Sequence, residues 1–384
     1  MDAQHHTLND AVRAAAAAGR TLRLRGGGTK DFWGAPLQGE VLDTRVYKGI
    51  ISYEPSELVV TARCGTPLAE LEAVLAEKGQ CLAFEPPHFG PGATVGGMLA
   101  AGLSGPARAS VGAVRDFVLG LRMVNGKGED LSFGGQVMKN VAGYDVSRLL
   151  AGSWGTLGIV TEVSLKVLPV APAEATLMCV GIGQNDALDV LHRWGGQPLP
   201  LNASAWVHDT LSNPGDDYVF VRLRGAVAAV ESAVTRMGAD VQALGAKVLR
   251  MDNAEALQDW RASSEQTLQF FEAPSGELCL WRLSVPQTAP VIDLPELSNP
   301  PQYIEWQGAQ RWLWAPATSA AALREAAQRV GGHATLFRAS PLGGASDKAV
   351  GVHAALDPVL QRIQRELQKQ FDPQGVFATG RLGL

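Results

Sequence analysis

Thiols are scarce in this chain. Its 384 residues hold four cysteines, Cys64, Cys81, Cys179 and Cys279, and the nearest pair lies 17 residues apart. Iron–sulfur clusters and structural zinc draw several thiolates from closely spaced positions, so neither is expected, and no metal site is read from the sequence. Scattered cysteines in a large chain read as reduced, buried small side chains of a cytosolic protein. Long apolar runs are also missing. None approaches the ~20 residues that cross a bilayer, and the start of the chain, with Asp2, His5 and His6, shows no basic-then-apolar leader. Positive charge is not in excess: 33 Lys and Arg face 38 Asp and Glu, a net charge of −5. Phosphate-backbone binding needs a concentrated basic surface, so no nucleic-acid partner is expected. With 46% hydrophobic and 18% charged residues, the composition is that of a folded globular protein.

Glycine is abundant, 43 residues in 384, well above the usual ~7%, and most of the excess precedes Pro169. In this first stretch, short helix and strand signals alternate with glycine-rich loops. Leu8–Gly19 reads as a helix, Thr21–Arg25 and Leu58–Ala62 as strands, Thr66–Lys78 as a helix and Ile159–Leu168 as a strand. Asn125-Gly126 between two β-rich runs is a hairpin signal. Residues 170–174 read as a linker. Beyond it the order is strand (Ala175–Gly181), helix (Asp186–Trp194), strands (Ala203–His208 and Tyr218–Arg224), helix (Val227–Met237) and strand (Val241–Leu249). A β-α-β-β-α-β run predicts a ferredoxin-like sheet with helices on one face. A helix over Ala254–Phe271, strands near Glu277–Val285 and Tyr303–Trp314, and a helix over Ser319–Val330 follow. Asp357–Gln370 is an amphipathic helix with Val359, Leu360, Ile363 and Leu367 on one face.

Three glycine-rich segments carry the chemistry. Arg25-Gly26-Gly27-Gly28-Thr29-Lys30 follows a strand; successive glycines free the backbone for positive φ and let several N–H groups face one point, as a phosphate requires. Pro86 to Gly97, containing Gly92-Ala93-Thr94-Val95-Gly96-Gly97 and continuing to Ser104-Gly105, leads into a helix that Thr94 can cap. Its glycine and alanine face would let a large planar ligand approach. Gly152-Ser153-Trp154-Gly155-Thr156-Leu157-Gly158 precedes the strand at Ile159. Each segment alone could be a structural turn; three in order within about 130 residues are harder to dismiss. Other patterns fail. Gly181-Ile182-Gly183 lacks the third glycine of a dinucleotide fingerprint, there is no Gly-x-Ser-x-Gly elbow, and the seven histidines lie at no ligand spacing.

In order and spacing these three segments resemble the FAD-binding domain of the p-cresol methylhydroxylase (PCMH) and vanillyl-alcohol oxidase type, over about residues 8–170. The tail Phe371-Asp372-Pro373-Gln374-Gly375 with Gly380-Arg381 resembles the segment that returns to that domain. Lys139–Leu149 and Leu280–Pro286 are similar to the FAD-binding subunits of bacterial glycolate oxidase complexes, and that resemblance runs nearly end to end. It implies an α+β fold: a PCMH-type FAD-binding domain of two α/β subdomains over residues 1–170, a ferredoxin-like cap over 171–335, and a C-terminal segment, 336–384, returning to the FAD domain.

For the site, the resemblance implies cofactor contacts from Arg25, Gly26, Gly27, Gly28, Thr29, Lys30, Pro86, Gly92, Ala93, Thr94, Gly96, Gly97, Ser104, Gly105, Gly155, Gly158, Ile159 and Arg381. Relatives with covalent flavin carry His after the glycine triplet; Thr29 stands there, so noncovalent FAD is expected. The implied reaction oxidises a small 2-hydroxy acid such as glycolate. A carboxylate holder would be Arg for its bidentate fork, and Arg282 on a strand beside Trp281 is the candidate, against the alternative of an Arg that only covers aromatic surface. No general base is assigned. The metal motif of the larger hydroxy-acid dehydrogenases has no counterpart at Gly331-Gly332-His333. The implied partners are a second FAD-binding glycolate oxidase subunit and an iron–sulfur subunit, and the implied location is cytoplasmic, with any membrane association made through those partners. A flavin-binding subunit without turnover of its own, a self-sufficient dehydrogenase and a scaffold that has lost flavin remain alternatives.

Overall fold

The computed structural model describes residues 3–136, 144–208, 215–298 and 300–383. The 139–143 part of the stretch that carries the resemblance lies outside them. The chain forms two units. One comprises the residues up to Ser104, Gly112–Val170 and the chain from Ala355 on; the other comprises Gly105–Val111 and Ala171–Ala354. The expected third stretch is thereby divided, because residues 336–354 group with the second unit.

The first unit opens with a helix, Ala3–Ala17, that starts five residues before the sequence signal and buries Leu8, Val12 and Ala15. Strand β1 (Leu22–Arg25) pairs in parallel with β2 (Glu40–Asp43). Then come β3 (Ile50–Glu54), β4 (Val59–Arg63), β5 (Gln80–Cys81), β6 (Val118–Val124), β7 (Asp130–Gly134), β8 (Ile159–Lys166) and β9 (Leu168–Pro169). Five of them form an antiparallel sheet in the order β3-β4-β8-β6-β7, and β5 pairs with β9. The helix Leu68–Ala76 buries Leu68, Leu71 and Leu75, and Gly79 turns the chain out of it at φ +65°. The β6–β7 connection is longer than a two-residue Asn-Gly turn. The Asn125 side chain accepts from the amides of Lys127 and Glu129 at 3.0 Å each. Gly126 is needed for another reason: its amide donates to the Phe371 carbonyl at 2.8 Å, and any Cβ there would collide with Asp372. Asp372 in turn accepts from the amides of Val376 and Phe377 at 2.8 and 2.6 Å. Val376 and Phe377 are buried with Leu8, Val12 and Leu22, so the tail is part of this unit's core.

The second unit is one sheet of eight strands: β10 (Ala173–Val180), β11 (Leu201–His208), β12 (Asp217–Gly225), β13 (Lys247–Arg250), β14 (Cys279–Ser284), β15 (Gln302–Glu305), β16 (Gln310–Ala315) and β17 (His333–Arg338). Their order, β13-β10-β12-β11-β15-β16-β14-β17, is two ferredoxin-like orders placed edge to edge, β11 meeting β15 antiparallel. The helices Gln184–Gly195 and Val227–Gln242 bury Trp194, Val230 and Met237 against the first half. The helix Ala320–Arg329 buries Leu323 and Ala327 against Trp281, Leu283 and Leu313 of the second. Among the described residues no α-helix joins β14 to β15, only a 3-10 turn at Pro295–Leu297, and that missing crossover hides the second half from a sequence reading.

Three expectations shift. Val241 belongs to the helix ending at Gln242, where it shares a buried face with Met237, and the strand begins only at Lys247. The helix after it stops at Glu265, because Gln266 is left-handed at φ +53°. Tyr303–Trp314 is two strands, split by a turn with Gln307 at φ +58° and Gly308 at φ +103°. The C-terminal helix, Pro358–Phe371, starts at an Asp357 cap on the Val359 amide. It buries no residue, and its apolar stripe stays open, with Val359 53% and Ile363 48% exposed. Among the described residues no helix is long and apolar enough to cross a membrane.

Candidate functional site

A cleft in the first unit gathers residues from all three glycine-rich segments and the tail. It is lined by Arg25, Gly26, Gly27, Gly28, Thr29, Lys30, Thr94, Gly96, Gly97, Gly155, Gly158, Ile159 and Arg381. β1 delivers the first segment, the helix Val95–Ala101 carries the second and β8 starts where the third ends. The amides of Gly26, Gly27, Gly28 and Thr29 donate to no acceptor among the described residues. Consecutive unpaired amides on a concave surface form an anion-binding nest.

The reason for the triplet differs from the one expected. Only Gly28 is left-handed, at φ +73°. Gly27 is demanded by contact, since a Cβ there would coincide with the Gly92 carbonyl, and a Cβ on Gly26 would meet Thr94 Oγ1. Gly96 is likewise pressed against Cys64, whose Cβ lies 2.8 Å from where its own would be. The second segment therefore backs the first. Its own amides are occupied: Val95 donates to Thr66 O at 2.9 Å, Gly96 to Cys64 O at 2.8 Å and Gly97 to Thr94 Oγ1 at 3.1 Å.

Cations outnumber anions around the nest. The Arg25 guanidinium pairs with Asp31 at 2.7 Å, and Lys30, almost wholly buried, donates to His88 O at 3.1 Å. Arg381, only 7% exposed, donates from Nη2 to Lys30 O and Trp33 O at 3.1 Å each. It lies 4.6 Å from the Trp154 ring centroid, and Trp154 stacks on Trp33 at 4.1 Å. Burial pushes the Arg381 pKa down to about 10, so the group stays charged at neutral pH.

The other residues implied as cofactor contacts lie off the cleft lining. Pro86 is buried, Gly92 supports Gly27, and the Ala93 carbonyl accepts from Leu68. Ser104 Oγ accepts from the Val114 amide at 3.3 Å, and Gly105 belongs to the second unit, its carbonyl accepting from Trp306 Nε1 at 3.0 Å. Cys64, Trp154, Thr44 and Asp31 line the cleft without having been foreseen. Burial raises the Cys64 thiol pKa far above its ordinary value. The His88 ring contacts Glu72 at 2.9 Å.

Arg282 lies in β14 of the second unit, opposite Trp312 and Thr335 of the flanking strands. It is half-buried and rests 5.6 Å from the Phe337 centroid. No acceptor among the described residues takes a hydrogen bond from its guanidinium. Burial and the like charge of Arg108 push its pKa down to about 10. Burial and Arg282 likewise depress two histidines, His353 to about 4 and His333 in the same direction. Among the described residues no group of three His, Cys, Asp or Glu is placed to hold a metal ion.

Comparison with known proteins agrees with this architecture. The FAD binding domain family matches residues 3–134. The chain is 42% identical over 375 residues to glycolate oxidase subunit GlcE of Escherichia coli (strain K12), covering 98% of this chain and 96% of that protein. It is 34% identical over 159 residues to glycolate oxidase subunit GlcD of Bacillus subtilis (strain 168), covering 41% of this chain and 33% of that one. Among solved structures, alkyldihydroxyacetonephosphate synthase superposes with a TM-score of 0.69 at 15% identity, over 97% of this chain and 74% of the other. Fold and cleft thus define an α+β flavoprotein oxidoreductase of the PCMH type, with FAD as its cofactor. Within that class the chain belongs to the family of glycolate oxidase subunit GlcE.

Proposed function

We propose that this chain is the FAD-binding subunit of a complex that oxidises glycolate or a similar small 2-hydroxy acid to the 2-oxo acid. Electrons then pass to an iron–sulfur partner subunit, and a second FAD-binding subunit completes the complex. The reading draws support from GlcE and GlcD being named as glycolate oxidase subunits. The observation that carries it is Arg282, a half-buried guanidinium with no acceptor among the described residues and facing the like charge of Arg108. Such a group needs an anion, and its planar fork fits a carboxylate.

The amides of Gly26 to Thr29 would hold the pyrophosphate, with Lys30 and Arg381 supplying countercharge. Gly96, Gly155, Gly158 and Ile159 leave room for the rest of the dinucleotide beside the Trp154–Trp33 stack. Bound there, FAD supplies the acceptor for the hydride leaving the substrate Cα. Arg282 would hold the substrate carboxylate, and the hydroxyl proton passes to water as the carbonyl forms. Attachment of FAD is noncovalent: Thr29 is no flavin nucleophile, the His88 ring is engaged by Glu72, and the Cys64 thiol resists ionisation. Acid precipitation should therefore release all the flavin to the supernatant; flavin remaining in the pellet would contradict this.

Turnover requires the assembled complex. The isolated chain, mixed anaerobically with glycolate and an artificial acceptor, should show under about a tenth of the rate restored by its partner subunits. That tenfold difference corresponds to ~1.4 kcal/mol in the barrier. Equal rates would favour a self-sufficient dehydrogenase. An unreduced flavin on this chain within an active complex would make it a flavin-binding subunit without turnover of its own.

A further inference from the structure

A second, half-open cavity lies wholly within the second unit, between the β10–β12 strands and the helix Asn253–Glu265, and offers about 430 Å³. That falls in the range of ~300–1,000 Å³ typical of small-molecule sites. Its walls are aromatic, with Phe220, Trp260, Phe270 and Tyr303. Phe270 and Tyr303 lie 5.4 Å apart between centroids. The Trp260 ring already hosts a cation on one side, Arg222 at 5.0 Å. Arg222 is buried, donates to Asn202 Oδ1 at 2.7 Å and is not part of the lining.

Two of the polar lining groups, Asp259 and His208, can accept from a donor. Asp259 lines the cavity and has neither a hydrogen-bond donor nor an ion-pair partner among the described residues. The residue is exposed to solvent, and partial desolvation with the neighbouring Glu255 raises its pKa. His208 Nδ1 contacts Asp217 at 2.7 Å. In the tautomer whose Nδ1–H donates to that carboxylate, Nε2 can act as an acceptor. Aromatic faces, a carboxylate with no partner among the described residues and an imidazole acceptor form a consistent set, since ring quadrupoles and a carboxylate both attract a cation.

We propose that this cavity is a binding site for a small ring-bearing organic cation, an amine whose ring enters the aromatic walls and whose ammonium group reaches Asp259 and His208. None of its lining residues belongs to the flavin cleft, so the site does not depend on the function proposed above.

The test is calorimetric titration of the flavin-loaded chain at pH 8 with three probes of matched size: 2-phenylethylammonium, neutral 2-phenylethanol and anionic 3-phenylpropionate. The ammonium should bind one per chain with a submillimolar Kd, the alcohol at least tenfold more weakly, and the anion without measurable heat. Asp259→Asn changes an exposed side chain, so the variant should fold. It should weaken the ammonium at least tenfold and leave the alcohol unchanged. Absence of binding by the ammonium, equal or tighter binding of either other probe, or an unaltered ammonium affinity in Asp259→Asn would each overturn the proposal.

Discussion

Gly27→Val is expected to yield protein that purifies almost without FAD. The valine Cβ would occupy the position of the Gly92 carbonyl, so the first two glycine-rich segments must part. The amides of Gly26 to Thr29 would then lose their common focus. Hydrogen bonds to a charged acceptor contribute about 1.5–3 kcal/mol each, so losing two should cost at least ~10² in affinity. Gly92→Ala is the graded control, because its Cβ would stand 3.2 Å from Gly27 O, a gap that a few tenths of an ångström would relieve. It should retain most of its flavin. The measurements are the flavin-to-protein absorbance ratio and titration of apoprotein with FAD. The separate core of the second unit, built on Trp194, Val221 and Met237, should keep its far-ultraviolet circular dichroism. Full occupancy in Gly27→Val would reduce the triplet to a turn.

That substitution also marks how far the sequence reading reaches. Glycine is the one residue whose presence reports what must not be there, so the three loops stood out before any contact was known. Which constraint each glycine answers did not stand out. Positive φ applies at Gly28 alone of the triplet, while the need at Gly27 comes from a backbone segment some 65 positions later. Trp33, Trp154 and Cys64 were harder still. Nothing in local spacing says that Trp154, left-handed at φ +54°, stacks on Trp33 beneath Arg381. The first half of the eight-stranded sheet was legible because its helices carry the 3.6-residue period between β-rich runs. The second half was not, since residues 285–301 replace the helix that would have announced it and the turn at Gln307 is short enough to read as continuous strand. The tail was legible as a resemblance, but its purpose emerges only from Gly126, Asp372 and the burial of Phe377.

The strongest test of the substrate assignment is Arg282→Met, which keeps an unbranched apolar stem beside Phe337 and removes the fork. In the reconstituted complex, kcat/KM for glycolate should fall about 100- to 1,000-fold, corresponding to ~2.7–4 kcal/mol of lost carboxylate binding in the transition state. FAD content should not change, because every residue of the flavin cleft is untouched. Stability should move the other way. Arg282 is half-buried, has no acceptor among the described residues and is repelled by Arg108, so removing its charge relieves a desolvation and repulsion cost. Thermal unfolding of the variant should occur at the same temperature as the parent or higher. A residue whose loss abolishes turnover yet leaves or raises stability is one retained for binding, because strain of this kind persists where function needs it. An Arg that only covered aromatic surface would give the opposite pair, with activity near normal and a lower unfolding temperature. If Arg282→Met preserves glycolate turnover in the complex, the carboxylate is held elsewhere, and the assignment of Arg282 fails whatever the stability shows.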